Sequence, residues 1–329
     1  MLMIVLLLGG TLGVTSLYVH REDHVPRSAE GIKLSLTAAE APALLGNLSE
    51  VEIVARLTEL SPHLRKQPID PLIDPINKGV IPGVCGWELD VLATKELVMS
   101  SEQNSLLQPV LQPIYPNSLW DYARYPIYHG NLQKKQIALV INVAWGNENL
   151  PEMLDTLSQE GVKASFFLVG RWVAQNSELV KQIAALGHEF GNHAYSDPHL
   201  PQLGKEGIAQ EITRTSAAIT QITGQEICFF SPPYNDFDQI VLDTAAELGY
   251  LTVLCSLDTA DWMRPGVDQI VRRIVPKAHN GAIVLMHPTE QTPAALKQII
   301  SGLKAQGYQL VTVGQLLAPA PQITNTPKN

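Results

Sequence analysis

The second half of the chain is written in short apolar runs separated by amphipathic stretches and brief turns. Runs at 137–143, 164–169, 188–193, 227–231, 251–257, 282–287 and 309–313 predict seven strands. Between them apolar residues recur at helical spacing: Met153, Leu154 and Leu157; Leu179, Ile183 and Leu186, closed by Gly187; and Ile208, Ile212, Ala218, Ile219 and Ile222. Further helices are expected at 239–248, 267–277 and 294–305. Strand and helix alternating across short turns is the pattern of a parallel α/β domain. In such folds chemistry gathers where strands end. Asn142, His193, Ser231, Asp258 and His287 all fall at or near those ends.

The first half reads differently. Residues 1–19 carry no charge and are rich in Leu, Ile and Val, long enough at about 1.5 Å per residue to just cross a bilayer. A single-pass anchor over 1–20 is expected, with a cleaved signal peptide or a buried helix as the rivals; no small-x-small site precedes Arg21. An anchor would hold the rest of the chain at the cell membrane on its outer side, and cleavage would release it. Arg21, Arg27 and Lys33 follow the run and none precedes it, which by the positive-inside rule opposes export. Residues 21–128 are punctuated by prolines from Pro62 to Pro126 and form a lead segment, with a short helix expected at 51–60 and a strand at 87–92. Trp87, Trp120, Tyr122 and Tyr125 either pack that segment or meet sugar. The main domain is expected over 129–317, and 318–329 reads as a disordered end.

Composition narrows the function. Hydrophobic residues make up 45% and charged residues 17% of 329, which excludes a mainly disordered chain. A net charge of −9 without a Lys/Arg cluster excludes a nucleic-acid surface. Cys85, Cys228 and Cys255 form no C-x-x-C, so neither a zinc ribbon nor a disulfide framework is indicated. One polar turn stands out: His193 and Asp197 lie four apart, with His199 two further on. That spacing permits a metal site and equally permits a solvated loop.

Taken in order, the strand ends resemble the five motifs of the polysaccharide deacetylases, carbohydrate esterase family 4 with its NodB homology domain, over roughly 128–317. The stretches Ile141-Asn142-Val143-Ala144-Trp145-Gly146-Asn147-Glu148 and Val284-Leu285-Met286-His287-Pro288-Thr289-Glu290, with the lead segment, are similar to the sporulation-associated branch. The resemblance implies a distorted (β/α) barrel of seven or eight parallel strands and a divalent metal, usually zinc. It also implies removal of acetyl groups from N-acetylated polysaccharide, chitin-like or peptidoglycan. On it, His287 is the general acid and Asp261 the carboxylate that orients it. Trp262 and Leu285 wall the acetyl pocket, and Pro233-Tyr234 is the segment whose backbone N–H holds the oxyanion. His193 is the first metal histidine.

Three positions depart from the family pattern. Asn142 stands where the catalytic base belongs, and its amide accepts no proton. Val143 replaces the neighbouring metal aspartate, leaving Asn147 or Glu148 to supply oxygen. Asp197 replaces the second metal histidine, with His199 near enough in sequence to rotate in, and Ser231 replaces the arginine that pairs with the base. A metal set of His193, Asp197 and Glu148 is therefore expected. Two readings stand: an extracytoplasmic hydrolase of the acetamide bond, weakened at its base, or a disarmed relative that binds cell-wall glycan.

Overall fold

The computed structural model describes residues 2–5, 18–21, 49–101, 107 and 109–319. It divides into two compact units, the larger comprising Asp70–Gly83 with Asn117–Ala318. The larger unit holds an eight-stranded sheet: β1 (Gln136–Val143), β2 (Ser165–Leu168), β3 (Glu189–Asn192), β4 (Phe229–Phe230), β5 (Leu251–Thr252), β6 (Leu257–Asp258), β7 (Ile283–Met286) and β8 (Gln309–Val311). The lateral order is β5-β4-β3-β2-β1-β7-β6, β8 pairs with the first half of β1, and every pairing is parallel. The expected parallel α/β architecture is therefore present, as a half-barrel whose end strands β5 and β6 do not pair with each other.

One expected strand is two. The run at 251–257 splits into β5 and β6, which lie at opposite ends of the sheet order. Laid flat, seven strands would separate those ends by about 29 Å, whereas five residue steps reach at most about 17 Å. The sheet must curl for the chain to cross. Along the crossing, Val253 N still donates to Phe230 O of β4, and Ser256 N already donates to Ile283 O of β7. No single straight strand can pair with both.

Helices clothe the outside: α1 (Leu150–Gln159), α2 (Gly170–Gln175), α3 (Ser177–Ala185), α4 (Lys205–Thr223), α5 (Gln239–Glu247), α6 (Val267–Ile274) and α7 (Thr292–Ala305), while α8 (Val313–Leu317) packs Val313, Leu316 and Leu317 with the interior residues. The helix expected to reach residue 277 stops at Ile274. Pro276 cannot donate to the ladder, and the last turn tightens to 3-10 geometry over Val275–Lys277.

Curling separates the two faces of each strand. Ile137, Leu139, Ile141 and Val143 join the core beneath the helices with Phe166, Phe190, Val284 and Met286. Ala138 and Val140 fill the barrel interior with Phe167, Phe229, Ile283 and Leu285. By the two-residue strand period Asn142, His193, Ser231 and His287 continue the interior rows of four strands at their C-terminal ends. That parity makes the barrel mouth the place where they meet.

In the smaller unit, Glu50–Leu60 is helical as expected and starts at a reciprocal capping box between Ser49 and Glu52. The strand expected over 87–92 is Gly86–Leu89, paired with Leu111–Ile114. Asp90 then caps a helix over Val91–Ser100 by accepting from Ala93 N at 2.9 Å, which draws Val91 and Leu92 out of the strand. Of the anchor expected over 1–20, only Leu2–Val5 and Tyr18–Arg21 bear on the described residues, where they pair antiparallel; the rest lies outside them. Among the described residues no helix is long and apolar enough to cross a membrane. The tail from 320 onward also lies outside them.

Gly191 lies opposite Phe167 across the β2–β3 register, and a Cβ there would sit 2.4 Å from the Phe167 ring. Gly191→Ala must push that ring against the filled interior. The expected loss is about 1–3 kcal/mol in denaturant unfolding, and an unchanged midpoint would refute so tight an interior beneath the mouth.

Candidate active site

The floor of the mouth is a short hydrogen-bond chain. His193 Nδ1 lies 2.7 Å from Ser231 O, and a carbonyl only accepts, so Nδ1 carries the proton. In the neutral ring Nε2 is then an acceptor, and Asn142 Nδ2 donates to it at 3.3 Å. Burial pushes the His193 imidazole down to about 4, against opposing contributions from the Ser231 carbonyl and Asp197, so the ring is neutral at physiological pH. Ser231 thus acts through its backbone carbonyl. Asn142 Oδ1 is left buried with no hydrogen-bond partner among the described residues.

The acid side is fully built. Asp261 is wholly buried. One carboxylate oxygen accepts from His287 Nδ1 at 2.9 Å; the other accepts from His287 N at 2.7 Å and Thr292 Oγ1 at 2.8 Å. These bonds fix both the carboxylate and the imidazole and leave His287 Nε2 free of them. Trp145 lies parallel to the His287 ring, with centroids 6.3 Å apart. Leu285 is buried among the interior residues, whereas Trp262 is 58% exposed. Asp258 ends β6, its side chain accepting from Ala260 N at 2.7 Å as the chain leaves the strand.

The opposite rim is a second array. Tyr234 donates its hydroxyl to Asp197 Oδ2 at 3.2 Å, and both residues hold left-handed backbone, with φ of 61° each. His199 bonds Asp236 Oδ2 through Nδ1 at 2.7 Å and stacks on Tyr234 at 4.6 Å. Beneath them Glu211 of α4 accepts from Tyr195 N at 2.8 Å, Ser196 N at 2.7 Å and Ser196 Oγ at 2.9 Å. Sequence reasoning missed Glu211 and Thr292, which sit on helices without a motif. It quoted Trp145 only as part of a motif.

The expected metal set is not gathered. Among the described residues no group of three or more His, Cys, Asp or Glu side chains could hold a metal ion. His193 Nε2 faces the Asn142 amide, Asp197 faces Tyr234, and Glu148 is exposed. Neither alternative donor steps in. Asn147 donates to Asn176 Oδ1 and accepts from Trp172 Nε1, each at 2.6 Å, and His199 is committed to Asp236. The side chains present do not fit a zinc centre.

A second buried imidazole, His188, accepts from Ala164 N at 3.2 Å and is likewise pushed down to about 4, by burial and then by Lys163. Both rings have an ordinary value of 6.5. As pH falls from there toward about 4 the unfolded chain binds protons that the folded chain refuses, so stability drops. The slope is up to ~1.4 kcal/mol per pH unit for each ring. Urea unfolding at pH 7 and pH 5 should register the loss, and His188→Asn should reduce the slope; a flat profile across that window would contradict the neutral assignment.

Comparison with known proteins places this geometry. The polysaccharide deacetylase family model matches residues 129–253. The Bacillus subtilis protein YlxY is 37% identical over 281 residues, 82% of this chain and 84% of the relative. The peptidoglycan-N-acetylmuramic acid deacetylase PdaA of Bacillus subtilis is 32% identical over 195 residues, 58% of this chain and 74% of that one. Among solved structures, a carbohydrate esterase family 4 pseudoenzyme from Bacillus anthracis superposes with a TM-score of 0.70 at 35% identity, covering 81% of this chain and 95% of the other. A mutant of that pseudoenzyme with restored enzymatic activity matches at 0.69 and 34%, over 81% and 98%. The curled parallel sheet, the His287–Asp261 pair at its mouth and these relatives together make the chain a member of the polysaccharide deacetylase family, carbohydrate esterase family 4, whose enzymes are hydrolases of non-peptide carbon–nitrogen bonds.

Proposed function

We propose that this protein binds an N-acetylated polysaccharide of the cell envelope, of peptidoglycan or chitin-like type, at the barrel mouth, with its hydrolytic half-reaction disarmed. The observation that carries this reading is the base position. Asn142 accepts no proton and spends its own N–H on His193, the side chain a metal would need first. Loss of a general base alone costs ~10²–10⁴-fold in rate. A relative described as a pseudoenzyme, covered over 95% of its length, supports the same reading. The substrate class rests on the relatives that are peptidoglycan deacetylases. A membrane anchor over 1–20, with the main domain outside the cytoplasm, completes the proposal.

A second reading, slow hydrolysis of the acetamide, has one specific support. The His287–Asp261–Thr292 array is intact and leaves His287 Nε2 available to protonate a leaving amine. Such an array is costly to keep ordered without use, since it holds a charged group out of water.

The two readings part on acetate release. Native protein should bind N-acetylglucosamine oligomers and insoluble peptidoglycan, yet release no acetate above the buffer blank with Zn²⁺ present. Asn142→Asp combined with Asp197→His should raise release at least ~10²-fold. Chelator-sensitive release by the native chain at the variant's rate would overturn the disarmed reading. Failure of the native chain to bind either glycan would overturn the binding one.

A further inference from the structure

Cations that are dispersed along the sequence meet at the end of the curled sheet opposite the mouth. Three loops enter strands there: 130–135 before β1, 275–282 before β7 and 304–308 before β8. Hydrogen bonds sew them into one face. Gly130 N donates to Gly281 O at 2.7 Å, Asn280 Nδ2 to Leu132 O at 2.9 Å, Tyr308 OH to Ala278 O at 3.2 Å and Gln309 N to Lys135 O at 3.1 Å. Gln306 Nε2 donates to Val275 O at 2.9 Å. Lys135 and Lys277 lie in these loops, and Arg272 and Arg273 lie in the last turn of α6, which leads into them. All four are exposed, and among the described residues none of them forms an ion pair with a carboxylate. Glu160 is already taken by Lys304 at 2.8 Å.

A helix dipole favours cations at its C-terminus and so accounts for Arg272 and Arg273. It does not account for Lys135 or Lys277, and α1, α3, α4 and α5 end without a basic residue. A chain of net charge −9 thus gathers unpaired positive charge on one face, which calls for an anionic partner. The tip of loop 130–135 decides which kind. Leu132 is 52% exposed among these cations, and the bond from Asn280 to its carbonyl holds it there. A dissolved polyanion would pair the cations and leave the leucine in water. A lipid surface offers phosphates to the cations and an apolar boundary to the leucine. We propose that this face docks on an anionic phospholipid surface, with Leu132 at the headgroup boundary and Lys135, Arg272, Arg273 and Lys277 on the phosphates. The mouth, at the other end of the same strands, is then turned away from the lipid. The proposal goes beyond the glycan-binding reading and does not depend on residues 1–20 crossing a bilayer.

Amide hydrogen exchange of the full chain on lipid vesicles tests this locally, whatever else in the chain holds it to the vesicle. The probes are phosphatidylcholine vesicles with and without about a third phosphatidylglycerol. At about 0.15 M salt, exchange in 130–135 and 275–281 should be at least about fivefold slower on the anionic vesicles than on the neutral ones, while 258–264 at the mouth stays unchanged. At about 1 M salt the difference should vanish. The variant carrying Arg272→Gln, Arg273→Gln and Lys277→Gln should bring the ratio to about one, and Leu132→Ser should about halve it. Equal exchange on both vesicles in the native chain would overturn the proposal. Equal protection by a soluble glycerol-phosphate polymer, insensitive to Leu132→Ser, would overturn the lipid as partner and assign the face to a dissolved polyanion. If the triple variant does not fold, the salt series on the native chain decides alone.

Discussion

Everything at the site depends on the curl of the sheet, and the curl is enforced by five residue steps. Because the chain passes from Thr252 to Leu257 between strands at opposite ends of the order, the sheet cannot open without breaking the pairing of β5 or β6. At the C-terminal end of the curled sheet the interior rows of four strands deliver Asn142, His193, Ser231 and His287 to one mouth. Their convergence is a property of strand parity. It needs no metal to draw them together, and among the described residues no group of side chains gathers to hold one.

The two halves of the mouth have followed different rules. On the acid side Asp261 is wholly buried and accepts from three donors, so removing one leaves a buried carboxylate with fewer bonds to offset its burial. That interdependence resists piecemeal change. On the other side Asn142 and Ser231 are both buried and both uncharged, so neither side chain leaves an unpaired charge in the floor. The serine carbonyl then serves to fix the His193 tautomer that makes Asn142 a donor. The result is a floor of neutral, mutually hydrogen-bonded groups beside the buried carboxylate of Asp261.

Much of this was legible in the chain. The apolar runs located seven of the eight strands within a few residues, the eighth being half of the split run at 251–257. The strand-end residues were identified by position. What the sequence concealed was commitment. Nothing in the spacing of His193, Asp197 and Glu148 says that Asn142 will occupy the imidazole, that Tyr234 will claim Asp197, or that Trp172 and Asn176 will claim Asn147. Those partners come from strands and helices up to 51 positions away. Glu211 was invisible for the same reason, being one more acid on the polar side of a long helix.

Glu211 also explains how the turn over 194–197 holds its shape. Ala194 and Asp197 both hold positive φ, at 57° and 61°, a conformation that costs an L-residue free energy unless the surroundings impose it. Here they do. Three donors of Tyr195 and Ser196 converge on one carboxylate, and Ala194 N donates to Asn192 Oδ1 at 2.9 Å. The turn is therefore held from below, by α4 and by its own strand, rather than from above by an ion. A carboxylate at 197 enters that fixed backbone without disturbing it and finds a hydroxyl partner in Tyr234. The shape of this rim is thus fixed by hydrogen bonds within the fold, whatever the side chain at 197 meets above it.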